Sequence, residues 1–114
     1  MKRNLPKKQS VNCNVAVTDC EYFRNDPVFL PPKETYTLVI DYPFSKWGSF
    51  KIKTGVKGMC LGGILKQIHV AYVKQYEAAE IDDNQEYWHG IEDLAVEGIA
   101  VDHVKKEIRL SMGS

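Results

Sequence analysis

Residues 59–80 constrain what this chain can fold into more than any other stretch. Leu61, Ile64, Leu65, Ile68, Ala71, Tyr72, Tyr76 and Ala79 recur at the i, i+3, i+4, i+7 spacing of an amphipathic helix. At about 100° per residue they form an apolar stripe roughly 140° wide. One helix cannot bury such a stripe alone, so a sheet or further helices must cover it. Gly62 and Gly63 weaken the helix start by roughly 1 kcal/mol each relative to Ala. Glu77, Glu80, Asp82 and Asp83 oppose the macrodipole at its end, so the last turn is expected to fray into a loop.

Strand patterns flank this helix. Tyr36, Leu38, Ile40 and Tyr42 alternate with Thr35, Thr37, Val39 and Asp41, a pattern that fits a pleated surface. Phe50, Ile52 and Thr54 alternate with Lys51 and Lys53, and the two segments are close enough to pair as an antiparallel hairpin. After the helix, Ile91–Leu94 reads as one helical turn. Leu94 and Val96 share one parity; Ile99 and Val101 share the other. A β-bulge at Glu97-Gly98 returns all four to one face. Ile108, Leu110 and Met112 complete a second hairpin across residues 94–112. The expectation is a two-layer α+β domain over residues 35–114, with one main helix on a mostly antiparallel sheet of four to five strands, in ββαββ order. Residues 1–34 carry four prolines and read as an extended, partly disordered arm, with a short edge strand near residues 14–18.

The ββαββ order resembles a β-grasp fold of the ubiquitin type, a likeness of topology that carries no function. The chain ends Ser111-Met112-Gly113-Ser114, without the terminal Gly-Gly of conjugation chemistry, and it has no cysteine cluster for an iron–sulfur centre.

At 114 residues the chain can bury a core without disulfide or metal staples. No apolar run of about 18 residues occurs, so no membrane span is expected. The basic N-terminus lacks the apolar core of a secretion signal, and three cysteines, an odd number, fit a reducing compartment; a cytoplasmic location is expected. Net charge is zero but uneven. Residues 1–57 hold ten Lys/Arg and five acids; residues 58–114 hold five and ten. Such asymmetry can steer a partner, although in a folded domain the halves can simply neutralise one another.

Few residues point to chemistry. Cys60 lies near the helix start, where partial positive charge favours a thiolate, and His69, His89 or His103 could serve as its base. A free cysteine is more often a small buried hydrophobe. Cys13 and Cys20 with the isolated histidines do not match structural zinc spacings, and residues 82–86 lack the EF-hand glycine, so neither metal nor cofactor is expected. Lys46, Lys51, Lys53 and Lys57 place cations beside Trp47 in the adjoining loop, a pattern suited to single-stranded nucleic acid. Lysines on a strand face also serve simply to deter edge pairing. Tyr87, Trp88 and His89 form an aromatic loop of the kind found at protein interfaces, or one that closes the helix end over the core. Val70 and Val73 point off the main stripe. The leading expectation is a non-enzymatic protein-interaction module that self-associates. One alternative is a small enzyme or ligand-binding domain using Cys60 or a pocket near Trp88 and His89. The other is a single-stranded nucleic-acid binder.

Overall fold

The computed structural model describes residues 7–22, 28–42, 44, 47–81 and 91–113. The apolar stripe becomes helix α1 (Leu61–Ile81). Ile64, Leu65, Ile68, Ala71 and Tyr72 are buried, whereas Lys66, Val70 and Lys74 face out. What covers the stripe is one face of a five-stranded sheet. Its strands are β1 (Lys8–Ala16), β3 (Thr35–Ile40), β4 (Gly48–Lys53), β6 (Ala95–Asp102) and β7 (Glu107–Gly113). A separate antiparallel pair, β2 (Val28–Leu30) and β5 (Met59–Cys60), leads directly into the helix. The chain is therefore α+β, with one helix packed on a mostly antiparallel five-stranded sheet.

The sheet runs β1-β6-β7-β3-β4. The two hairpins, β3–β4 and β6–β7, are antiparallel, and they join through a parallel pairing of β3 with β7. Among the described residues five strands precede the helix and two follow it, a longer order than the expected ββαββ, because β2 pairs with β5 and β1 adds an edge strand antiparallel to β6. That strand ends at Ala16, not near residue 18; Val17–Tyr22 turn into a 3-10 helix beside α1. Val17, fully buried, donates its N–H to the Leu94 carbonyl, and its own carbonyl lies 3.0 Å from His69 Nδ1.

The parity switch in β6 resolves as expected. Val96 pairs with Met112 and Gly98 with Ser111, so Glu97 is the extra residue of a bulge, and Val96, Ile99 and Val101 are all buried. These side chains join Tyr36, Leu38, Ile40, Ile52 and Ile108 against the helix residues in one core. Ile91–Asp93 form the expected short turn, as a 3-10 helix. The strand expected to reach Tyr42 stops at Ile40; the Tyr42 carbonyl instead accepts a 2.8 Å bond from the buried Tyr72 hydroxyl, tying the hairpin loop to α1. Burial pushes the Tyr72 hydroxyl pKa up. Among the described residues no helix is long and apolar enough to cross a membrane.

Candidate functional site

The helix covers one face of the sheet. The outward positions on the other face follow from the pairing registers. One row runs Lys8, Asp102, Glu107, Thr37, Lys51 across β1, β6, β7, β3 and β4. The next begins Ser10, Ala100, Arg109. Ser10, Ala100, Arg109, Ser49, Lys51 and Lys53 are all exposed. An antiparallel sheet commonly leaves one face to water, so exposure alone carries no function. The side-chain choice is more specific: a floor of small residues, charges of both signs around it, and one large ring.

A groove of about 490 Å³ lies over β1, β6 and β7, with Ser10 and Ala100 among the floor and Lys8, Lys105, Glu107 and Arg109 among the rim residues. Its acids are internally engaged. Glu107 Oε1 accepts a 2.8 Å bond from Arg109 Nε. Asp102 accepts the N–H groups of Val104 and Lys105 at 3.0 and 2.9 Å, which folds the β6–β7 turn. The Lys105 N–H chiefly, with the Val104 N–H and the Lys8 and Lys105 charges, holds the Asp102 carboxyl below its ordinary range.

Trp47 precedes β4 and is 65% exposed. The Arg109 guanidinium lies 5.4 Å from its ring centroid, within cation–π range. Arg109 is on β7 and Trp47 adjoins β4, so this contact reaches across β3. Val39, on the intervening β3, has outward parity yet is only 8% exposed. Arg109 thereby joins the groove to the Trp47 end of the face, and the two form one continuous surface. On that surface Lys51 Nζ donates to Thr37 Oγ1 at 2.8 Å, and Lys53 projects beside Thr35.

Of the residues singled out from sequence, Trp47, Lys51 and Lys53 are brought together on this open face. Lys46, Tyr87, Trp88 and His89 lie outside the described residues. Cys60 is the last residue of β5, partly buried and opposite Val28. His69 lies nine residues further along the chain, on α1, about 13 Å by helical rise. His103 is hydrogen-bonded to Tyr36 and Gln9 at the far end of β6. The structure does not bring Cys60 together with either histidine, and the groove is lined by neither cysteine nor histidine. Cys13, the other described thiol, sits 3.3 Å from the Val96 carbonyl, and burial raises its pKa. Val70 and Val73 remain on the outer helix surface, 41% exposed and half-buried respectively.

Sequence reasoning did not single out Lys8, Ser10, Ala100, Lys105, Glu107 and Arg109 as a site. Their signal was the outward parity of β6 and β7, filled by small or charged residues. Only the register of strands distant in sequence turns that parity into a surface. Comparison with known proteins adds no relative: no protein-family model, curated protein or solved structure matches this chain.

Proposed function

We propose that this protein is a non-enzymatic interaction module that self-associates through the open face of its five-stranded sheet. The observation that carries the reading is the mixed-sign, small-floored groove beside exposed Trp47. A two-fold contact requires a surface complementary to itself, and a patch holding Lys8, Lys105 and Arg109 with Asp102 and Glu107 can oppose unlike charges across such an axis. Zero net charge leaves little overall repulsion between copies.

The size of the face sets the strength. Five strands about 4.8 Å apart, each about six residues at about 3.3 Å, give roughly 480 Å² per copy. Two copies would bury roughly 1,000 Å², at the weak end of specific interfaces. Association is therefore expected at micromolar concentration or above. Concentration-dependent amide shifts measured by NMR test the location: residues 8–10, 100 and 109 should move together, while those around Lys66 and Lys74 stay fixed. Shifts centred on the helix face instead would overturn the assignment.

A second reading is favoured by the exposed ring of Trp47 beside Arg109, Lys51 and Lys53. This end of the face suits single-stranded nucleic acid, by base stacking and phosphate contacts. Binding of a labelled oligonucleotide should then fall steeply with salt and be lost in Trp47→Ala. Asp102 and Glu107 at the groove end disfavour phosphate, which places this reading second.

The same reading takes β3, β4, α1, β6 and β7 as a β-grasp-like unit, supported by the parallel β3–β7 pairing between two hairpins. It also takes a cytoplasmic setting, supported by the free thiols of Cys13 and Cys60.

A further inference from the structure

We propose that His103 is an acid-released latch that fastens the first half of strand β1 to the sheet. Three bonds converge on this residue. Its main-chain N–H donates to the Lys7 carbonyl at 2.8 Å. Its ring Nε2 lies 3.0 Å from Gln9 Oε1, and its Nδ1 lies 2.7 Å from the Tyr36 hydroxyl. One residue in the β6–β7 turn thus ties β1 to β3, two strands that do not pair with each other.

The neutral imidazole satisfies this arrangement completely. With the proton on Nε2, that nitrogen donates to the Gln9 amide oxygen, and Nδ1 accepts the Tyr36 O–H. A second proton on Nδ1 turns that acceptor into a donor facing a hydroxyl whose own hydrogen already points at it. The hydroxyl hydrogen would have to turn away, and with Tyr36 only 1% exposed little water can reach it to accept it; the two rings stand at 90° with centroids 5.8 Å apart. The charged groups nearby do not rescue the cation. Lys106, on the same turn, lies 5.5 Å over the Tyr36 ring and adds positive charge; it is paired with Glu34 at 2.8 Å. Asp102 opposes it but is occupied by the turn N–H groups and adjoins Lys8 and Lys105. Burial first, and Lys106 second, hold the imidazole below its ordinary pKa.

The segment that the latch holds is structurally separable. Among the described residues, β1 is an edge strand paired with β6 alone. Its register with β6 shifts between Asn12 and Val15, where Asn14 takes a positive φ of 54°. This bulge divides residues 8–12 from the buried anchor at Val15 and Val17. Protonation of His103 therefore favours detachment of residues 8–12 while the core stays folded. Lys8 and Ser10 line the groove, so release would dismantle its β1 side. This last consequence rests on the proposed function, whereas the latch itself does not.

Hydrogen exchange on the full chain, at a concentration low enough to keep it monomeric, tests the latch. Between pH 7.5 and 5.5, after correction for intrinsic exchange, protection of the β6-paired amides in residues 8–12 should fall with acid. One linked proton limits the change to about tenfold per pH unit. Amides of β3 and β4 should keep their protection. His103→Gln should remove the pH dependence, and Tyr36→Phe should weaken it and raise the His103 pKa followed by NMR. Uniform loss of protection across all strands, or an unchanged acid response in His103→Gln, would overturn the proposal. Loss of self-association with the latch intact would instead count against the interaction face.

Discussion

At the scale of single residues, pairing geometry decides which positions tolerate change. Gly58 has a φ of 78°, and a Cβ there would run into the Leu30 carbonyl oxygen. Backbone strain and a rigid clash add, so Gly58→Ala should cost about 2–4 kcal/mol, read as a lowered urea midpoint. A cost below about 0.5 kcal/mol would mean that the β2–β5 pair yields freely. His103 has the opposite visibility. Its folded pKa is lowered, so the unfolded chain binds the proton more readily, and stability must rise with pH where the two forms differ. Its contribution is complete above the ordinary value near 6.5 and is lost as pH falls through and below it. Comparing urea midpoints of wild type and His103→Gln between pH 7.5 and 5 should show this extra acid sensitivity in the wild type alone. Nothing in the sequence around His103 announces the role, because its partners Tyr36 and Gln9 lie 67 and 94 residues away.

At the scale of elements, periodicity carried most of the information. The helix stripe and both hairpins were legible because burial on one face writes itself into the spacing of apolar residues. The β6 bulge was legible for the same reason, as a change of parity at Glu97. β1 is longer than its apolar pattern suggests, because its buried residue Val15 follows a bulge at Asn14, and before it Val11 and Cys13 are only partly covered at the sheet edge. The helix–sheet core makes a direct prediction. Ile68 is fully buried within the central cluster, so Ile68→Ala should cost about 2–5 kcal/mol. Val70→Ala, on the outer surface of the same helix, should change stability by about 0.5 kcal/mol or less. Equal losses at the two positions, measured by thermal unfolding, would place the helix the other way round.

At the scale of the whole molecule, one sheet has two faces of different composition. The inner face buries the helix and holds the fold together. The outer face combines Ser10 and Ala100 with Arg109, Glu107 and Trp47, and no helix of the described residues covers it. Sequence placed Trp47, Lys51 and Lys53 on one surface but could not supply Arg109, whose importance depends on β7 lying beside β3 rather than beside β4. The most direct test is sedimentation velocity of the full chain from about 5 to 500 μM, for wild type and Ala100→Lys. Ala100 is exposed at the centre of the floor, so a lysine there adds bulk and charge to the contact without touching the core. Wild type should shift towards dimer with concentration, and Ala100→Lys should stay monomeric with an unchanged unfolding temperature. A wild type that is monomeric throughout, or a variant that dimerises equally well, would contradict the account.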